Sequence, residues 1–313
     1  MNTAPAAIGP VLVFGLGYTG RHVAALLRDA GIACSGTTRT GRVVDDDVAC
    51  LRFPADDFGA LRHALVDADA ILCTVPPDAD GDPAARFLAG TNLALPRLRW
   101  LGYLSSTSVY AGGDGRSVDA DTPADATDVT ALARLAAEAQ WRALAARHAV
   151  PLHVFRLAGI YGPGRNALVQ LAQGRARWLD RPDVLFNRIH VDDIASAVLD
   201  ALRADLPAIA HVWPLADGHP ASQREVLEHA AVLSGLPMPP PLADDDPQLT
   251  PALRRFYSGS KRIDSRHVRQ RLGWTPRYQS YRDGLAAAWA DMRHVSGDAQ
   301  TVPPATPGGT GIG

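Results

Sequence analysis

The strongest limit on the fold lies in residues 1–160, where short apolar runs alternate with helical patterns from end to end. Val11 to Phe14 reads as a buried strand. Thr19 to Ala30 puts Val23, Leu26, Leu27 and Ala30 on one helical face, with Gly31 as its stop. Further strands are predicted at Ile32 to Thr38, Val48 to Phe53, Asp69 to Val75, Trp100 to Ser105 and Pro151 to Leu157. Helices are predicted at Leu61 to Val66, Pro83 to Leu98 and Thr130 to His148. Strands that alternate with helices return to one sheet in parallel and need cover on both faces, so the class is α/β with a doubly wound parallel sheet.

Beyond Gly159 the rhythm changes. Gly162-Pro163-Gly164 punctuates the chain, and helical pieces follow at Ala167 to Gln173, Asp193 to Leu202 and Ser222 to Leu233. Ser222 and Glu225 have capping-box spacing. Leu236 to Pro251, rich in Pro and Asp, reads as a long loop. Residues 296–313 hold Pro, Gly, Thr and Ser with too little apolar surface to offset ordering, and a disordered tail is expected. The expected division is 1–160, a sheet domain; 161–295, mainly a smaller substrate domain with segments returning to the first; and 296–313, the tail.

Composition excludes several function classes. The net charge of −2 gives no basic surplus for nucleic acid or an anionic membrane. No apolar stretch is long enough to span a bilayer, and no basic region precedes an apolar run at the N-terminus. Cys34, Cys50 and Cys73 are too few for a disulfide framework and lack metal-ligand spacing. A cytoplasmic protein without metal is the expectation.

Gly15-Leu16-Gly17-Tyr18-Thr19-Gly20 fits G-x-G-x-x-G, directly after a strand and opening a helix. In such a turn the first glycine permits the tight bend and the second lets backbone approach a pyrophosphate. The third lets helix pack on sheet, and the helix N-terminus supplies amide donors, here including those of Tyr18 and Thr19. A Rossmann-type dinucleotide site is therefore expected. The second strand ends in Thr37-Thr38-Arg39-Thr40 rather than in an acidic residue. Arg39 offers a fork of donors for a 2′-phosphate. The competing account is a solvated loop arginine; position favours NADP over NAD. Asp56 or Asp57 can hold an adenine amino group or cap the next helix. Thr74 and Val75 end the fourth strand, where a dinucleotide crosses the sheet edge.

Further along, Tyr103-Leu104-Ser105-Ser106-Thr107-Ser108-Val109-Tyr110 resembles the Y-x-S-S-x-x-V-Y-G segment of the extended short-chain dehydrogenase/reductases, the NAD-dependent epimerase/dehydratase superfamily. Arg156 to Arg165 resembles its R-x-x-x-[IV]-Y-G-P-G segment. Ile189-His190-Val191-Asp192-Asp193-Ile194 resembles its I-H-V-x-D-[IL], and Leu272-Gly273-Trp274-Thr275-Pro276 its L-G-W-x-P. The resemblance implies a Rossmann domain with a smaller C-terminal substrate domain and an active site between them. It also implies hydride chemistry on a small-molecule substrate, in which a tyrosine moves the proton, a lysine supports it and a serine binds the substrate oxygen.

Ser106 aligns with that serine, with Thr107 adjacent. Aligning Leu135-Ala136-Ala137-Glu138 on the family's Y-x-x-x-K-x-x-x-E helix puts Thr130 in the tyrosine slot and Arg134 in the lysine slot. No tyrosine or lysine lies anywhere between Tyr110 and Tyr161. Threonine is too weak an acid near neutral pH, and arginine does not shuttle protons. Phe14 also replaces the first glycine of the family's more usual G-x-x-G-x-x-G. Both departures resemble the family's atypical branch. Of 31 basic residues only Lys261 is a lysine, and it reads as a surface residue.

Tyr110 and Tyr161 are expected on loops facing the cleft, in structural or substrate-lining roles. Arg165 and Arg188 can clamp an anionic substrate, Arg188 the better placed. His190 is expected to pack against Asp192 or Asp193, either of which can cap the following helix. The function expected is an oxidoreductase or epimerase/dehydratase on a small polar substrate. The alternative is an NADP-binding sensor or regulatory scaffold without turnover. The long helix from Thr130 suits a homodimer interface, as the resemblance implies.

Overall fold

The computed structural model describes residues 8–42, 48–55, 58–112, 115–250, 253–254, 257 and 259–295. Asp56, Asp57 and the expected tail at 296–313 lie outside the described residues. In chain order the elements are β1 (Val11–Phe14), α1 (Tyr18–Asp29), β2 (Cys34–Thr38), β3 (Ala49–Arg52), α2 (Gly59–Asp67), β4 (Ala70–Cys73), α3 (Pro83–Gly90) and β5 (Trp100–Ser106). After a short 3-10 turn at Thr107–Val109 come β6 (Ser117–Val118), α4 (Val129–His148), β7 (Leu152–Leu157), β8 (Gly159–Tyr161), α5 (Ala167–Ala172), β9 (Arg188–His190) and α6 (Val191–Arg203). β10 (Ala210–Leu215), α7 (Gln223–Ser234), β11 (Arg262–Ile263), α8 (Arg266–Leu272) and α9 (Tyr281–Val295) complete the described elements.

Seven strands form one parallel sheet in the order β10-β7-β5-β4-β1-β2-β3. Side chains alternate across each strand, and β1 shows the consequence. Val11 and Val13 face α1 and α6, where Val23, Leu27, Ile194 and Val198 are buried. Leu12 and Phe14 face α2, α3 and α4, where Leu61, Leu65, Leu88 and Trp141 are buried. A third core joins α5, α7 and α9 through Leu168, Leu171, Leu227 and Leu285. Two small parallel pairs, β8–β9 and β6–β11, connect this part to the sheet. No helix of the described residues is long and apolar enough to cross a membrane.

Several elements differ from the sequence expectation. The helix from Pro83 stops at Gly90 rather than Leu98, since Asn92 adopts a left-handed backbone (φ 45°) and Pro96 lacks the N–H that a continued helix would need. β10 escapes sequence reading because His211 and Pro214 interrupt its apolar run. Pro214 is tolerated because β10 is the sheet's edge strand. Thus β10 and α6, both past residue 160, belong to the sheet and its cover. Ser222 and Glu225 form the expected capping box at the start of α7.

The centre of the sheet is tied to α4 by a buried ion pair. Glu138 is fully buried; its Oε1 accepts from Arg156 Nε (3.0 Å) and Ser105 Oγ (2.7 Å). Its Oε2 accepts from Arg156 Nη2 (2.8 Å) and Arg142 Nη2 (3.2 Å). Burial of both charges is tolerable only because each carboxylate oxygen is bonded twice. Glu138→Ala leaves Arg156 buried without its counter-ion. Urea unfolding is expected to show a loss of about 3–5 kcal/mol.

Candidate cofactor and substrate site

The order of strands reverses at β1, between β4 and β2, and a doubly wound sheet opens its ligand crevice at such a reversal. The glycine turn is built there. Gly15 has φ +96°, and its N–H donates to Thr37 Oγ1 (3.0 Å) on β2. Thr74, just past β4, donates to the Gly15 carbonyl (2.5 Å), so three neighbouring strands hold the bend. At Gly20 a Cβ would stand 2.0 Å from the Gly15 oxygen; only glycine allows α1 to start this close to the sheet. At Gly17 a Cβ would meet nothing within 4 Å. No side chain caps α1 there. An open face over uncapped helix amides is what a pyrophosphate requires, and the residues fit a dinucleotide. Tyr18 and Thr19 start the helix, and the Tyr18 hydroxyl donates to the Pro163 carbonyl (3.1 Å). Val75 follows Thr74 at the sheet edge, and Arg39 is exposed just past β2.

At the end of β5, Ser105 is spent on Glu138, while Ser106 is half-buried with its Oγ accepting from Ser108 N (3.1 Å). Thr107 is buried in the following turn. Thr130 is exposed in the first turn of α4, whose cap is Asp128. Arg134 does not stand free in the cleft. Its Nη1 donates to the Leu104 carbonyl (3.0 Å) and to Tyr103 Oη (3.3 Å), which makes it a tie between α4 and β5. Burial holds the Tyr103 phenol well above its usual range, and it lies in the core under α4.

Tyr110 is fully buried rather than facing the cleft. Its hydroxyl donates to the Asp119 carbonyl (2.8 Å), and the Arg156 guanidinium lies 4.8 Å from its ring centre. Lys261 is half-buried rather than a surface residue, and its Nζ donates to the Tyr110 carbonyl. The cap of the helix after β9 is His190 rather than either aspartate. His190 caps α6, its Nδ1 accepting from Asp192 N (3.2 Å), and burial lowers its pKa to about 4. His190 Nδ1 lies 3.5 Å from Asp192 Oδ2, the contact expected from sequence, and Asp192 Oδ1 also meets His22 Nδ1 (2.9 Å) on α1. Asp193 accepts from Arg277 N (2.6 Å) and Tyr278 N (3.2 Å), and its carbonyl accepts from Trp274 Nε1 (3.1 Å). Two of the sequence motifs are therefore partners, one fastening the other.

Just past the sheet edge at β7 lies a cavity of about 270 Å³, reached by Gly159, Ile160 and Tyr161 of β8 and by Arg188. Tyr161 donates to the Ser280 carbonyl (3.2 Å), and burial raises its pKa far above the usual range. Arg188 is buried; Nη1 donates to the Phe186 and Ala221 carbonyls (both 3.0 Å) and Nη2 to Gln223 Oε1 (2.9 Å). A second groove, about 490 Å³, runs between α1 and the Gly162–Arg165 loop, and Arg165 borders both. Among the described residues no group of His, Cys, Asp or Glu side chains is gathered for a metal ion.

No family model matches the chain. A functionally unknown conserved protein from Silicibacter pomeroyi is 36% identical, with 91% of this chain and 99% of that one covered at a TM-score of 0.78. A structure from Methylobacillus flagellatus assigned as an NAD-dependent epimerase/dehydratase is 24% identical, with 91% and 99% covered and a TM-score of 0.72. A curated relative, the 3-diazoavenalumate denitrifying reductase of a Streptomyces species, is 28% identical over 304 residues, 90% of this chain and 97% of that one. The chain shares its fold with the NAD-dependent epimerase/dehydratase structures, and its curated relative is a reductase.

One buried group of the chain has no counterpart among the residues singled out from sequence. Asp217 follows β10, the strand the sequence conceals, and is 1% exposed. Its Oδ1 accepts from His219 N (2.9 Å), and its Oδ2 has no partner among the described residues. Burial raises its pKa to about 7 against the pull of Arg188, with Asp193 and Asp283 pushing the same way as burial. The folded chain thus holds a proton here that the unfolded chain releases near pH 4, so stability falls as pH rises from about 4 to about 7. Asp217→Asn removes that loss. Thermal unfolding followed from pH 5 to 8 is expected to flatten, with the variant more stable by on the order of 1–3 kcal/mol at pH 8.

Proposed function

We propose that the chain is a nicotinamide-nucleotide-dependent reductase of a small polar substrate, with NADP preferred over NAD. The observation that carries this is the turn at the strand-order reversal, with its open face at Gly17 and its uncapped helix start. The cofactor supplies the hydride. The chain supplies the cradle for its phosphates, Arg39 at the end of β2 for a 2′-phosphate, and the Ser106 hydroxyl at the end of β5 as a hydrogen-bond partner for substrate.

Reductase is favoured over epimerase or dehydratase by what α4 lacks. Those two reactions need a proton moved at a substrate hydroxyl, and here the tyrosine slot holds Thr130 and the lysine slot holds Arg134, tied to β5. A reduction can do without that pair when its acceptor has no oxygen to protonate. The curated relative is named for such an acceptor, a diazo group. The same two slots favour a second reading, an NADP-binding sensor without turnover. Equal affinity for NADP+ and NADPH would count against that reading, and steady NADPH consumption with a panel of diazo compounds would replace it with the first.

Gly17→Ala separates cofactor binding from folding. The new methyl enters open space, so the urea midpoint is expected to move little, within about 1 kcal/mol. NADPH affinity, read by nucleotide fluorescence, is expected to fall at least about tenfold because the methyl stands where phosphate approaches backbone. Arg39→Ala is expected to weaken NADPH by roughly tenfold and leave NADH unchanged. A parallel loss for both nucleotides would overturn the NADP preference.

A further inference from the structure

Arg188 is a buried cation that no carboxylate of the described residues meets within 4 Å; its three bonds all go to neutral oxygens, two backbone carbonyls and the Gln223 amide. A guanidinium has five N–H donors, so the Nε–H and one Nη2–H remain, the donors with which arginine clasps a carboxylate side-on. Taking such a charge out of water without a counter-ion is costly. The nearest acid that acts on it electrostatically, Asp217, stands beyond ion-pair distance.

The cavity that Arg188 borders is made for the missing partner. Its lining holds two arginines, Arg165 and Arg188, and not one Asp or Glu. The remaining wall mixes apolar side chains, among them Ile160, Phe186, Val226, Leu285 and the ring of Tyr281, with the neutral amides of Asn166, Gln170, Asn187 and Gln223. Its volume, about 270 Å³, lies at the bottom of the range for small-molecule pockets. A nucleoside diphosphate sugar would overfill it.

From these observations we infer that the cavity behind β8 and β9 binds a small, singly charged carboxylic acid with a partly apolar body, its carboxylate paired to Arg188. This deepens the reductase reading and rests on it for the ligand's role as substrate. The cavity begins at Gly159, two residues past the end of β7, so an acid seated there projects its other end toward the strand ends where a doubly wound sheet binds ligands. Arg188 is in this account the specificity-determining residue: it selects acids over amides and esters of the same shape.

The test uses the full chain without cofactor, with trans-cinnamate and its neutral isostere cinnamamide as probes in calorimetric titration. Cinnamate is expected to bind at least tenfold more tightly than cinnamamide, and Arg188→Gln is expected to erase the difference. Equal affinity for acid and amide in the unaltered chain, or full cinnamate affinity in a folded Arg188→Gln, overturns the inference. Because Arg188 is buried, that variant can fail to fold. Gln170→Trp then serves, since Gln170 is exposed at the rim and the indole would fill the mouth. Loss of cinnamate binding there supports the site, and unchanged binding overturns it. Tighter displacement of cinnamate by UDP-glucose than by benzoate also overturns it. NADPH binding, measured separately on the same chain, fails or succeeds independently, so the reductase reading and this one can fall apart from each other.

Discussion

The bidentate pair between Glu138 and Arg156 is the constraint on which the site's framework hangs. It joins the middle of α4 to β7, takes the Ser105 hydroxyl from β5, and places the Arg156 guanidinium against the Tyr110 ring. Tyr110 in turn presents its carbonyl to Lys261, beside β11. A single line of contacts thus runs from the buried centre of the sheet to the far part of the chain. The Glu138 and Arg156 charges in it are each stabilised by more than one hydrogen bond in a region of low dielectric, which makes the arrangement specific as well as costly to break.

A second fastening explains why motifs far apart in sequence occur together. Asp193, in the His190–Ile194 segment, receives the amides of Arg277 and Tyr278, and Trp274 of the Leu272–Pro276 segment donates to the Asp193 carbonyl and Ser196 Oγ. His190 spends its Nδ1 on capping α6. Residue types that suggest acid–base chemistry when read along the chain are here structural fasteners. Burial lowers the His190 pKa to about 4, so near neutral pH its ring is an uncharged hydrogen-bonding group.

The chemistry left to the site is correspondingly spare. The cradle at Gly15–Gly20 and the Ser106 hydroxyl remain at the strand ends. Where the sequence resemblance implies a tyrosine and a lysine, α4 carries an exposed Thr130 and Arg134 bonded to β5. Such a site favours reactions in which charge on the acceptor, or an arginine facing it, does what a proton would otherwise do. The cavity beside it, lined by two arginines and no acid, has the matching electrostatics.

Local pattern alone determined much of this. The apolar runs and helical faces located six of the seven strands of the sheet, and the helices among them except for the early end of α3 at Gly90, because period and turn residues act over short stretches. The glycine turn was legible for the same reason, since tight bend, phosphate approach and helix packing are all written in six consecutive residues. Sequence also showed that the tyrosine and lysine slots were empty of those residues. Tertiary structure decided what sequence period cannot carry. It placed β10 at the sheet edge despite Pro214, and with it the buried Asp217. It drew Arg134 to β5, buried Tyr110 under Arg156, and brought Lys261 to the Tyr110 carbonyl. It left Arg188 facing a cavity with no carboxylate of the described residues in ion-pair contact. Each of these depends on burial and on partners distant in the chain, and a charge's role is set by what surrounds it in space rather than by its neighbours in sequence.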